Sequence, residues 1–295
     1  MNPEIVRPNI VGLGEVLWDV FPEAAHFGGA PANFACHAAG LGGDAWVVSA
    51  VGRDQLGDDA LASLSAKNVH TLLLQRNDHP TGTVTVTLDA TKQASYVFAA
   101  EPAWDHIAWN ASLALLAKKC QAVCFGTLAQ RAPESRRTVR EFLENTSADC
   151  LRIFDVNLRQ GFFSREIIES SLGFANIFKL NNDEVPAVAE LLGLPMEEKA
   201  FVLSVAQRFD LHTVALTRGS AGSLVWHKGA YDEKKAPKVA VVDTVGAGDS
   251  FTAALAIGLL RGEDLSRLHQ RAVDVAAFVC TKAGATPELL AEFRR

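Results

Sequence analysis

Six short stretches of the chain are almost wholly apolar and end on small or polar residues. They are NIVGLG (9–14), AWVVSAVG (45–52), AVCFGT (122–127), RIFDVN (152–157), IFKLN (177–181) and TVALT (213–217). Apolar runs without alternation predict strands buried on both faces, the pattern of a parallel sheet. Between them lie helix-like segments: PANFACHAAGL (31–41), LGDDALASLSAK (56–67), PESRRTVREFLEN (133–145) and MEEKAFVLSVAQRF (196–209). Strand and helix in alternation predict a doubly wound, mainly parallel α/β sheet flanked by helices, and we expect one domain over 1–295. One stretch departs from this. In TGTVTVTLDATKQASYVFAA (81–100), Thr83, Thr85 and Thr87 alternate with Val84, Val86 and Leu88, which suits an antiparallel strand with one wet face. DATKQ (89–93) reads as a turn into a second strand, so a small β flap is expected; an ordinary edge hairpin fits the same periodicity.

Composition narrows the function classes. Of 295 residues 48% are apolar, enough for a sizeable core, and the formal net charge of −6 offers no basic face for nucleic acid. No apolar run approaches membrane-spanning length, and MNPEIVRPN does not read as a secretion signal. The five cysteines are odd in number and none form a C-x-x-C pair, which argues against a disulfide framework or a zinc site. Reduced thiols in a cytoplasmic protein are expected.

In open α/β sheets ligands bind beyond the carboxyl ends of the strands. Those ends carry Gly126 and Thr127, then Asp155, Asn157 and Arg159, then Asn181 and Glu184, then Thr217, Gly219 and Gly222. No G-x-x-x-x-G-K-[ST] occurs, and GLGEVL (12–17) and GAGDSF (246–251) both lack the third glycine of a dinucleotide fingerprint. TRGSAGS (217–223) has the composition to wrap a phosphate or simply to turn. In FGGAPANFACHAAGLGG (27–43), Gly28 and Gly29 permit close approach to a ligand, Pro31 suits a helix start, and Asn33 would lie in the first turn with its amide free, or serve as a cap. Asp19 follows an apolar strand, as an acceptor for sugar hydroxyls or as a solvated turn residue. In DTVGAGDSFTAALAIGLL (243–260), Gly246, Ala247 and Gly248 precede Asp249 and an apolar helix. Asp249 has three readings: a helix cap, a metal ligand, or a general base beside amides that bind an anion.

GGAPANFA with GLGGD, together with DTVGAGDSF, resemble the two signatures of the ribokinase-like (PfkB) sugar kinases. GEVLWD (14–19), FGTLAQR (125–131), FDVNLR (154–159) and KLNNDE (179–184) are similar to bacterial fructokinases. The resemblance implies an ATP-dependent kinase that phosphorylates the primary hydroxyl of D-fructose to give fructose 6-phosphate. It leaves as alternatives another kinase of the fold, acting on 2-keto-3-deoxygluconate, ribose or a nucleoside, and a non-catalytic nucleotide-binding member. It implies Asp249 as the base and the amides of Gly246, Ala247 and Gly248 as the anion hole. Asn181 and Glu184 would position Mg²⁺ and the phosphates, Glu184 through water, and Thr217, Gly219 and Gly222 would hold ATP. Asp19, Gly28, Gly29 and Asn33 would meet the sugar, Arg159 the sugar or the phosphates, with Tyr96 and Phe98 of the flap as further candidates. Asp243, with carbonyls near Ala283 to Ala285, would hold K⁺. A lid built near 15–28 and 81–102 would join two subunits as a homodimer.

Overall fold

A computed structural model describes residues 7–88 and 94–294; the side chains of 86–88 and 94–96 are not among the described ones. The turn expected at 89–93 and the Tyr96 side chain therefore lie outside the described residues. In chain order the elements are β1 (Asn9–Leu13), β2 (Leu17–Val20), β3 (Ala25–Gly28), α1 (Ala30–Gly40), β4 (Asp44–Val48), β5 (Ala50–Gly52), α2 (Gln55–Ala66), β6 (Gln75–Asn77), β7 (Gly82–Leu88) and β8 (Ala94–Phe98). There follow α3 (Ala111–Lys119), β9 (Ala122–Phe125), α4 (Pro133–Glu144), β10 (Leu151–Asp155), α5 (Arg165–Phe174), β11 (Ile177–Asn181), α6 (Val185–Leu192) and α7 (Glu198–Arg208). The last are β12 (Thr213–Thr217), β13 (Ser223–His227), β14 (Ala230–Lys234), α8 (Ala247–Leu260) and α9 (Leu265–Cys280).

The main sheet runs β14-β13-β12-β11-β10-β9-β1-β4 and is parallel from β4 to β12. Its strands are apolar on both faces because each face carries a core. Alternate residues of β10 divide between them: Phe154 packs with Val11, Phe125 and Phe178 on one side, and Ile153 with Ile10, Cys124 and Phe251 on the other. Cross-strand register brings Phe125, Phe154 and Phe178 into a row, with ring centroids 5.4 and 5.6 Å apart. Stacked rings of this kind add to the area they bury.

Two features were not anticipated. The run 45–52 is not one strand: the chain leaves the main sheet at Ser49, and β5 pairs instead with β6 in a separate parallel ribbon. Beyond β12 the sheet gains the antiparallel strands β13 and β14. Strands β2 and β3 with β7 and β8 build a second sheet, in the order β3-β2-β7-β8. The alternating pattern of 82–85 fits that placement, with Val84 buried and Thr85 exposed. Arg131 braces this lid against the body. Its guanidinium bonds both oxygens of Asp105 and the Ala99 carbonyl, and lies over the rings of Trp104 and Phe162.

Candidate active site

The carboxyl ends of β1, β10, β11 and β12, the lid, and helices α8 and α9 enclose one cleft of about 1410 Å³. A pocket for a single small ligand typically measures about 300–1,000 Å³, so two substrates fit. Strand order lays out the cleft. Glu15, Asn33 and the lid residues Leu17, Asp19, Val84 and Phe98 lie toward β1, and Thr217, Gly219 and Gly222 follow β12. Asn157 and Arg159 come from the loop after β10, Lys179 and Asn181 from β11, and Gly246 to Asp249 from the start of α8. Val239, Val241, Val273, Ala276 and Ala277 give the β12 end an apolar wall.

Asp249 is not a cap. The N-cap of α8 is Gly246, in the left-handed region at φ 78°, and no side chain caps this helix. A Cβ at Gly246 would run into the Ala285 carbonyl, so the turn needs glycine twice over. A helix start leaves backbone amides without helical partners, and Gly246, Ala247 and Gly248 line the cleft at this one. One is partly engaged: the Ala247 N–H makes a long 3.3 Å bond to the Thr244 carbonyl. Asp249 stands in the first turn, where its Oδ2 accepts from Asn33 Nδ2 at 2.9 Å. Water reaches this carboxyl from the cleft, but protein encloses the rest of it. Burial and the charge of Asp155 push it up to about 6, against the pull of Asn33, Lys179 and Arg159. It is thus an acceptor poised near neutrality.

The Asn33 amide is therefore not free, as had been expected. Its nitrogen is committed to Asp249, and its Oδ1 is the atom left without a partner. Asp19 is on lid strand β2 and lines the cleft; burial raises its carboxyl, opposed by Arg159 and His26. Gly28 lies beneath Asp19, where a Cβ would sit 3.1 Å from Oδ2. Gly29, the N-cap of α1, lines the cleft at φ 106°. Arg159 is exposed on a loop whose residues Asn157 and Gln160 both have positive φ, a strained presentation of the kind found at functional sites.

Glu184 does not line the cleft. It is buried, with Oε2 accepting from the Asn181 N–H at 2.8 Å and Oε1 from the Leu158 N–H at 2.9 Å. In return the Glu184 N–H donates to Asn181 Oδ1. This box fixes the loops after β10 and β11 and leaves Asn181 and Asp183 at the surface of the cleft. Gly222 is held at φ 100° against the Lys234 carbonyl, whereas Gly219 stands in open space beside the cleft. Asp243 ties two segments together: Oδ1 accepts from the Val245 N–H and Oδ2 from the Gly284 N–H, each at 3.0 Å.

Two cleft residues escaped the sequence reading. Lys179 faces Asp155 directly across the β10–β11 register, and the buried pair meets at 3.0 Å. A Cβ at Gly248 would lie 3.1 Å from Lys179 Nζ, so this ammonium sits under the turn at 246–248. Burial works against its charge, but Asp155, Glu184 and Asp249 outweigh it and hold it protonated. A lone lysine inside the apolar run IFKLN, matched by the acid in RIFDVN, was the available signal. Glu15, 3% exposed between β1 and β2, also lines the cleft. Burial pushes its carboxyl up to about 7, and its Oε2 has no partner.

The cleft joins an acid acceptor, a helix start and a buried cation, the parts phosphoryl transfer requires. The known proteins it is similar to agree. The chain is 30% identical over 260 residues to a fructokinase of Salmonella typhimurium, covering 84% of this chain and 83% of that one. It is 27% identical over 270 residues to an ATP-dependent 6-phosphofructokinase of Thermoanaerobacterium thermosaccharolyticum, covering 90% of this chain and 82% of that one. Its fold matches that of a sugar kinase from Pyrococcus horikoshii in complex with ATP, with TM-score 0.81, 27% identity and 94% of each chain covered. The family model of the pfkB carbohydrate kinases matches residues 15–291, from Glu15 in the cleft through both glycine-rich stretches to the end of the last loop. On that match the chain belongs to the pfkB family of carbohydrate kinases.

Proposed function

We propose that this chain is an ATP-dependent fructokinase, transferring the γ-phosphoryl group of ATP to the primary hydroxyl of D-fructose to give fructose 6-phosphate. The observation that carries the reading is Asp249: a carboxylate that caps nothing, lining the cleft in the same first helix turn as Gly246, Ala247 and Gly248, whose amides would receive an anion there. Asp249 takes the proton of the hydroxyl as its oxygen attacks the γ-phosphorus. The bond to the β–γ bridging oxygen breaks, and ADP leaves with that electron pair. Amides of Gly246, Ala247 and Gly248, backed by Lys179, hold the charge on the transferring group. Magnesium bound with ATP would neutralise the nucleotide phosphates. The carboxylates at that rim are Asp183 at the cleft surface and Glu184 behind Asn181, a set suited to an ion carried in by ATP and met through water.

The acceptor end favours a neutral sugar. Glu15, Asp19 and Asp249 line it together with Leu17, Val84, Phe98 and Leu128, and Arg159 is the cation acting on all three acids. Once these acids ionise, an acidic or phosphorylated sugar would meet three carboxylates against the one guanidinium of Arg159. In an ADP-release assay over a panel of sugars, fructose is expected to give the highest kcat/KM, above ribose and far above 2-keto-3-deoxygluconate. A higher specificity constant for either of those two overturns the substrate assignment. The reading keeps a homodimer joined through the lid, whose strand β8 exposes Val97.

K⁺ belongs to the reading at Asp243 and the carbonyls near Ala283 to Ala285. Backbone carbonyls of this kind replace the hydration shell of an alkali ion. Any such ion shares its oxygens, since both of those on Asp243 already accept backbone N–H bonds. Activity at fixed Mg²⁺ is expected to rise when K⁺ replaces tetramethylammonium. Equal rates in the two salts remove the ion from this account.

A further inference from the structure

Helix α1 touches the reacting centre twice. Asn33 and His37 are four residues apart, so their side chains lie one above the other on a single face. Asn33 holds Asp249, as described. His37 is 1% exposed and places Nε2 2.9 Å from the carbonyl oxygen of Ala285. A carbonyl only accepts, so Nε2 carries the proton and donates.

Ala285 is the residue against which the anion-binding turn rests. Gly246 packs on its carbonyl so closely that no side chain fits between them. Asp243 adds a second tie, from the turn to Gly284. The chain of contact therefore runs from His37 through Ala285 to Gly246, the N-cap whose helix start carries the amides of the anion hole. A parallel chain runs from Asn33 to the carboxylate of Asp249.

We propose that His37 is a positioning residue for phosphoryl transfer: its Nε2–H fixes the Ala285 carbonyl and through it the Gly246 turn, so that one face of α1 holds base and anion hole in register. The inference rests on the kinase reading above. It follows from the demand of the reaction, in which a misplacement of about 1 Å lowers a rate by roughly 10²-fold. His37 does not line the cleft, and neither substrate meets it.

The test compares three variants, using whichever sugar the wild-type protein phosphorylates best. His37→Leu removes the donor and keeps apolar bulk, His37→Asn is too short to reach Ala285, and His37→Gln retains an N–H within reach. The leucine and asparagine variants are expected to lose roughly ten- to a hundredfold in kcat, with KM for sugar and for ATP within about twofold of wild type. The glutamine variant is expected to recover most of the loss. Should the leucine variant not fold, the asparagine variant carries the same reading. Unchanged kcat in the donor-less variants, or a glutamine variant as slow as they are, overturns the proposal. So does a loss that tracks only the folded fraction seen in thermal melts. A wild type that phosphorylates no sugar overturns the kinase reading and this proposal with it, whereas an active wild type with indifferent variants overturns this proposal alone.

Discussion

Asn in place of Asp249 is expected to lower kcat by roughly 10²–10⁴-fold, the usual worth of a general base, with little change in ATP affinity. The substitution keeps the shape, and its side-chain oxygen still accepts from Asn33, but no atom remains to take the proton. Steady-state rates against sugar and against ATP measure both halves of this expectation. The same carboxyl makes two further results testable. Wild-type kcat/KM should rise with pH through about 6, as Asp249 ionises. Stability should move the other way. A carboxyl raised from 3.8 to about 6 in the folded state is penalised above that range by roughly 1–3 kcal/mol, allowing for cleft water. The asparagine variant escapes the penalty and should melt a few degrees above wild type at pH 8, with the gain vanishing near pH 4. A slow variant that also binds ATP poorly would point to a collapsed turn rather than a lost base.

Lys179→Met is expected to be damaging in two separable ways. It leaves Asp155 buried without its cation, and breaking such a pair typically costs about 3–5 kcal/mol. It also removes the charge beneath Gly248, for which the loss of one stabilising group at a developing anion suggests a fall in kcat on the order of 10². Replacing Asp155 by Leu in the same protein removes the stranded charge. Apolar replacement of both partners is often nearly neutral, so the melting temperature should largely return. The rate should not. A double variant that regains both would make the pair a structural element and nothing more.

The fold was legible because both faces of the main sheet are covered, and strands buried on two sides write themselves as unbroken apolar runs. Departures have local causes. AWVVSAVG keeps one composition while crossing from the main sheet to the β5–β6 ribbon at Ser49, and composition carries no mark of such a change of partner. The candidate site was legible where the backbone itself demands glycine, as in the Gly-Ala-Gly turn before Asp249. It was not legible where function depends on partners distant in sequence. Asn33 meets Asp249 across 216 positions, so which of its amide atoms is free could only be read from the fold. Asp155 and Lys179 become a pair through strand register, and Glu184 braces two loops because they bring backbone N–H groups to both its oxygens, a placement that sequence spacing does not show.

The most direct measurement is phosphorus NMR of a reaction holding the wild-type protein, ATP, Mg²⁺ and fructose. The account predicts a phosphomonoester resonance coupled to the C6 protons of fructose, growing in step with ADP and appearing roughly 10²–10⁴-fold more slowly when Asp249→Asn replaces the wild type. A spectrum showing ADP with inorganic phosphate alone, or fructose left unmodified while another acceptor is phosphorylated, would contradict it.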